Sequence, residues 1–219
     1  MRDFCRKVEE ALPGLVDEGN DGGGDGGIDV LINNAGVFEP RERRTADGLE
    51  LTFAVNIAAP FVITKLLLPQ LRRAAARGGR PAHVVNASSI SQSYDIDFEN
   101  LQFEKGRYSA HEAYSTSKLA VAMFSAELAA RLDAAEVVCN ALDPGTVGTK
   151  MLEAGWGMGG IPVSCANDEF WLATAGREGV GTGRYYVSRR DSRPSPPVMD
   201  QAVRRRLWEY LERVTGVKY

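Results

Sequence analysis

The chain has few cysteines. Cys5, Cys139 and Cys165 are odd in number, far apart and without metal-ligand spacing, which excludes a disulfide framework and a zinc site and points to reduced thiols in a non-secreted protein. It also lacks a run of apolar residues of bilayer length. The longest, Ile57–Leu68, contains Pro60 and Lys65, so a core helix is expected there and no membrane span. No signal peptide is visible, and a cytoplasmic location is expected. Basic charge is not in excess: a net charge of −3 and a pI near 5.6 exclude a general nucleic-acid binder. The short runs Arg41–Arg44 and Arg204–Arg206 are read as solvated faces. What is present is 219 residues with 44% hydrophobic composition, enough for one domain over 1–219 with one substantial core.

Taken in order, the chain alternates helix and strand signals. Phe4, Val8 and Leu12 give helical spacing over Asp3–Leu12, Pro13-Gly14 ends it, and residues 17–27 form a low-complexity loop rich in Gly and Asp. Ile28–Ile32 reads as a strand buried on both faces and runs straight into Asn33-Asn34-Ala35-Gly36. By itself that tetrapeptide also fits an ordinary Asn-rich turn. A helical pattern then runs from Asp47 through Leu51 and Val55 to Leu71. Pro60 lies inside it and cannot donate to the carbonyl of Asn56, which is left free for a water or a side chain, or at a simple kink.

His83–Ala87 is the next strand and delivers Ser88 and Ser89 to its carboxyl end. About twenty residues of loop follow, a length that usually carries function. Val137–Leu142 is a third buried strand, ending in Asp143-Pro144-Gly145-Thr146-Val147-Gly148-Thr149. Thr149–Gly155 reads as a short helical turn, Ser164–Ala173 as a helix, Arg184–Ser188 as a last strand and Val203–Val214 as an amphipathic helix. This alternation predicts an α/β fold, a parallel sheet with helices on both faces, whose ligands sit beyond the carboxyl ends of the strands.

The segment Ser109–Leu132 carries the candidate chemistry. Ser109 and Glu112 make a capping box that starts a helix. Leu119, Met123, Ala126 and Ala130 form one apolar stripe, and Val121, Phe124, Leu128 and Leu132 form the opposite one, with Glu127 and Arg131 between. One stripe is expected to pack on the sheet and the other to meet a partner subunit. Tyr114 and Lys118 lie one turn apart, so a phenol and an ammonium can face one cavity. A free tyrosine, with a pKa of about 10, is a poor base, and a neighbouring ammonium is expected to bring it down towards the working range.

Asn33–Gly36, Asn56, Ser89, Tyr114-x-x-x-Lys118 and Pro144-Gly145 occur in this order, each at a predicted strand end or facing helix. Together they resemble the short-chain dehydrogenase/reductase family, and N-L-Q-F-E-K ahead of A-Y-S-T-S-K resembles its retinol-dehydrogenase-like branch. The resemblance covers Ile28 to about Val187 and includes the closing segment from Arg193. It implies a Rossmann-like doubly wound sheet and an oxidoreductase that moves a hydride between NAD or NADP and a small carbonyl or alcohol substrate, lipophilic ones included. It further implies Tyr114 as general acid/base, Lys118 on the nicotinamide ribose, Ser89 polarising the substrate oxygen and Asn56 holding a relay water. Asn33, Ala35, Gly36, Tyr114, Lys118, Pro144, Gly145, Val147 and Thr149 would line the cofactor, no metal would be needed, and a homodimer would form through helices.

A complete family member resembling this chain begins with a strand, a T-G-x-x-x-G-x-G turn and a helix, then two more strands. Only 27 residues precede Ile28, and their glycine run has no helix opening after it, so it is not a phosphate cradle. The expectation is an amino-terminally truncated sheet with the family's strands 4-5-6-7, impaired cofactor binding and an exposed apolar edge at Ile28–Ile32. A catalytically inactive fragment acting through dimerisation with a full-length relative is the alternative. A nucleotide-sugar epimerase shares Tyr-x-x-x-Lys but not the loop before it or the short carboxyl-terminal region.

Overall fold

The computed structural model describes residues 27–175 and 180–219. The helix expected over Asp3–Leu12, and all but Gly27 of the loop expected over 17–27, lie outside the described residues. Four strands, β1 (Val30–Asn33), β2 (Ala82–Ala87), β3 (Val137–Asp143) and β4 (Tyr185–Val187), pair in parallel in chain order, and β5 (Arg190–Asp191) adds antiparallel to β4. Every residue of β2 and β3 is buried, as their near-continuous apolar character requires of a sheet covered on both faces. β5 was not anticipated. It follows from a two-residue turn in which Ser188 and Arg189 both take positive φ, 48° and 63°, the geometry that closes a tight hairpin. At the other side β1 is the edge strand among the described residues, and Ile32 is 41% exposed on it, in keeping with the expected apolar edge.

The long helix α1 runs Leu51–Gly78. It starts later than the apolar periodicity from Asp47 suggests, because the buried Glu50 carboxylate caps it, accepting from the N–H groups of Thr52 at 2.9 Å and Phe53 at 2.7 Å. Pro60 does not break the helix. The ladder ahead of it widens into a π-helical segment over Ala54–Ala58, with the Ala59 N–H donating to the Ala54 carbonyl. Gly79, at φ 61°, ends the helix in the left-handed conformation.

The helix α2 (Ala110–Arg131) has the expected Ser109 cap; Leu119 and Met123 of the first stripe and Val121, Phe124 and Leu128 of the second are buried, while Ala130 is exposed. The second stripe is covered from within the chain by α1 and by the helix over Gln201–Thr215. Phe124 lies 6.0 Å from Trp208 and 5.6 Å from Phe61, centroid to centroid, and Arg131 lies over the Trp208 ring at 4.2 Å. Between the stripes Glu127 is buried and paired with Arg131 at 2.9 Å and Arg204 at 3.3 Å, so its charge is matched by two guanidinium groups. The second stripe is therefore packed within the chain.

After β3 come α3 (Lys150–Trp156), a 3-10 turn (Val163–Cys165) and α4 (Asp168–Thr174), so the helix expected over Ser164–Ala173 is two pieces split at Ala166-Asn167. A short α5 (Pro196–Met199) precedes α6 (Gln201–Thr215), which Asp200 caps. The long loop after Ser89 folds down on the helices, because Ile96 and Leu101 are buried in the core and the Gln102 side chain accepts from the Glu50 N–H at 2.8 Å.

Candidate active site

The carboxyl ends of β1, β2 and β3 release three loops side by side, and these, with the start of α2, wall one side of a cleft of about 1090 Å³. Ala35, Gly36, Pro144, Gly145, Val147 and Thr149 line it, together with Ser89, Tyr114 and Lys118. Gly36 is packed so closely that a Cβ there would stand 3.3 Å from Asn56 Oδ1 and 3.5 Å from Lys118 Nζ. Gly145 takes φ 80°, a conformation open to glycine at little cost.

Tyr114 is 7% exposed, with its ring 5.8 Å from Phe38 and 5.3 Å from Trp156. Burial pushes its pKa up, a hydrogen bond with the Ser89 hydroxyl pulls it down, and the Asp143 charge pushes it up again. The phenol is thus raised, not lowered as expected from a neighbouring ammonium. Burial is the main reason, and the lysine is turned to another partner. Lys118 Nζ donates to the Ala87 carbonyl at 2.9 Å and stands 5.6 Å from the centre of the Tyr114 ring. Burial brings the lysine down from 10.5 to about 8, against the opposing charges of Asp143 and Glu169. Ser89 is oriented by accepting from the Ser91 N–H at 3.0 Å, and Ser88 Oγ donates to the Lys118 carbonyl at 2.7 Å, which ties α2 to the end of β2.

Two residues expected at the site do not line the cleft. Asn33 donates through Nδ2 to Thr64 Oγ1 at 3.1 Å and to Asn86 Oδ1 at 2.7 Å, so its side chain joins sheet to helix beneath the floor. Asn56 accepts from the Val37 N–H at 2.8 Å and donates to the Val37 carbonyl at 3.0 Å and to Ser117 Oγ at 2.9 Å. Its side chain is fully used in holding the loop after β1 against α2.

The opposite wall was missed. α3 and the turn after it bring Met151, Trp156, Met158 and Val163 to the cleft, and α4 brings Glu169 and Phe170. Only a short helical turn and an aromatic pair marked these segments in the sequence, and neither signals a cleft wall. The wall is fastened to α2, since His111 Nε2 lies 2.9 Å from the Gly155 carbonyl and the His111 ring packs 5.1 Å from Phe38 and 5.6 Å from Trp156. Asp143, which also lines the cleft, stood in plain view at a strand end.

The family model for short chain dehydrogenase matches residues 15–156. Retinol dehydrogenase 13 of Mus musculus is 34% identical over 234 residues, covering 99% of this chain and 65% of that protein. Polyprenol dehydrogenase of Mus musculus is 35% identical over 205 residues, covering 86% of this chain and 60% of that protein. The chain thus spans somewhat less than two thirds of these relatives' own length. Among solved structures, the carbonyl reductase Sniffer of Drosophila melanogaster is 26% identical with a TM-score of 0.59, covering 84% of this chain and 71% of that one.

These findings correct the cytoplasmic expectation. The relatives are dehydrogenases named for retinol and polyprenol. The helix Leu51–Gly78, at 28 residues and a mean hydropathy of 1.8 in its most apolar window, is long and apolar enough to cross a membrane by length and composition, while 67% of that window is buried inside the fold. The apolar run judged too short in the sequence is part of a longer helix. With 142 residues under the family model, relatives more than 30% identical across nearly the whole chain and a mostly parallel Rossmann-like sheet, the chain belongs to the short chain dehydrogenase family, on its retinol-dehydrogenase-like branch.

Proposed function

We propose that the cleft carries out NAD(P)-linked oxidation and reduction between an alcohol and a carbonyl compound. The observation that carries this reading is the buried Tyr114 phenol lining one cleft with Ser89 and Lys118, beside a cradle of small residues at the strand ends. The cradle fits a nucleotide, because a Cβ at Gly36 would intrude on the space between Asn56 and Lys118 and the Gly145 turn leaves the cleft floor open. Ala35, Gly36, Lys118, Pro144, Gly145, Val147 and Thr149 would hold it. When bound, the nicotinamide supplies or accepts the hydride.

The chain's own residues handle the proton. Burial keeps the Tyr114 phenol protonated at neutral pH, so it donates to the substrate oxygen as that oxygen gains negative charge. The Ser89 hydroxyl donates a second hydrogen bond to the same oxygen, fixed in place before reaction. Lys118, still largely an ammonium at pH 7 and 5.6 Å from the centre of the Tyr114 ring, would return the proton. Asn56 acts by position, holding the loop after β1, and a relay water would fall to its main-chain carbonyl on the π segment.

The substrate is a lipophilic carbonyl or alcohol. The wall over Tyr114 is apolar, and Phe170, Val163 and Met158 are 69%, 62% and 53% exposed at its rim. In the alternative, an inactive fragment acting by dimerisation, a surface other than Phe124 on the second stripe of α2 would have to serve, since Phe124 packs on Trp208. The test is a titration of the purified chain with NADH and with NADPH, read by energy transfer from Trp156 at the cleft. Saturable transfer that disappears in Trp156→Phe supports the reading, and no binding up to millimolar nucleotide overturns it.

A further inference from the structure

Asp143 ends β3 with a buried carboxylate, opposite Val187 in the sheet register. Among the described residues no ion pair holds it. Such a group is costly to bury unless its oxygens are bonded, and here each oxygen accepts from a different loop. Oδ1 accepts from the Ile90 N–H at 2.8 Å, next to Ser89, and Oδ2 accepts from the Gly145 N–H at 3.0 Å. The two loops have no other hydrogen bond between them among the described residues.

We propose that Asp143 is a positioning residue of this site: its carboxylate locks the Ser89 loop to the Pro144-Gly145 loop and sets a negative charge facing Tyr114 and Lys118. The geometry stands by itself, and the catalytic consequence rests on the oxidoreductase reading. The charge acts on both members of the pair in the same sense, holding the proton on the phenol and on the amine. The other titratable groups that face the pair are Glu169 from α4, which acts on Lys118, and Tyr185 from β4, which itself feels Asp143 and Tyr114.

The test needs no cofactor. In protein carrying ¹³Cζ-tyrosine and ¹³Cε-lysine, with Tyr114 and Lys118 assigned through Tyr114→Phe and Lys118→Met, the two titration midpoints are followed by NMR. Asp143→Asn keeps the shape and one acceptor while removing the charge, and both midpoints are expected to move down. Glu169→Gln is expected to move the Lys118 midpoint alone. An Asp143→Asn protein in which both midpoints stay in place, or only one moves, overturns the proposal. Should Asp143→Asn not fold, amide exchange in the unaltered chain decides: slow exchange at both Ile90 and Gly145 supports the lock, and fast exchange at either overturns it. Where turnover is measured, the limb of the pH–rate profile due to Tyr114 moves to lower pH in Asp143→Asn, which a structural defect alone does not produce. Loss of all nucleotide binding with these midpoint shifts intact would sink the oxidoreductase reading and leave the lock standing.

Discussion

Lys118 Nζ donates to the Ala87 carbonyl at 2.9 Å, so the lysine at the centre of the site is anchored to the end of β2 and not to the phenol one turn before it. Its buried position brings it from 10.5 to about 8. Between those values the unfolded chain holds a proton at this lysine that the folded chain has released, so unfolding free energy rises with pH across that window. Comparing urea unfolding of the wild type and Lys118→Met at pH 7 and pH 10, the wild type is expected to gain about 2–3 kcal/mol on the variant. Parallel pH dependence in the two proteins would show that the lysine is not buried as described.

Tyr114→Phe keeps the ring between Phe38 and Trp156 and removes only the hydroxyl. Turnover of a lipophilic aldehyde should fall by at least about 10²-fold, the usual contribution of a positioned proton donor. Stability should change by only about 1 kcal/mol, the worth of one hydrogen bond. Steady-state kinetics beside thermal melts check both halves.

Asn56→Ala leaves the Val37 N–H and carbonyl and the Ser117 hydroxyl without the partner they share. The Ser117 hydroxyl keeps the Tyr114 carbonyl at 2.7 Å, so the expected loss, from the two Val37 groups, is about 2–4 kcal/mol in chemical denaturation, at about 1–3 kcal/mol for each group left unpaired. Amide exchange over Ala35 and Gly36 should speed up as their loop loses its tie to α2.

The sheet was legible because Ile28–Ile32, His83–Ala87 and Val137–Leu142 are short apolar runs, the look of strands covered on both faces, which β2 and β3 are and the half-exposed edge strand β1 is not. The candidate residues at the strand ends followed from that. What stayed hidden was decided by tertiary contact. Nothing local shows that Lys118 turns to Ala87, or that the Asn56 amide is spent on Val37. The second stripe of α2 was correctly apolar, but the pattern does not say that α6, eighty residues on, supplies the cover. The wall built by Trp156, Val163 and Phe170 comes from short pieces with weak periodicity, which acquire meaning only when folded over the cleft.

Trp208 closes that cover, packing on Phe61 at 5.2 Å and on Phe124, with Arg131 over its face. Trp208→Ala should cost about 3–5 kcal/mol, the range for removing a large aromatic from a core. Guanidinium denaturation measures it, and a loss below about 1 kcal/mol would mean that α6 is not integral to the core.

The most direct test of the central claim follows the hydride itself. The purified chain is incubated with NADH or NADPH carrying deuterium at the reactive nicotinamide carbon and with a lipophilic aldehyde such as retinal, and the alcohol is analysed by mass spectrometry. The account predicts an alcohol with one deuterium on the carbinol carbon from the wild type, and its near-complete loss in Tyr114→Phe. No deuterated alcohol with either nucleotide, or equal amounts from both proteins, would contradict it.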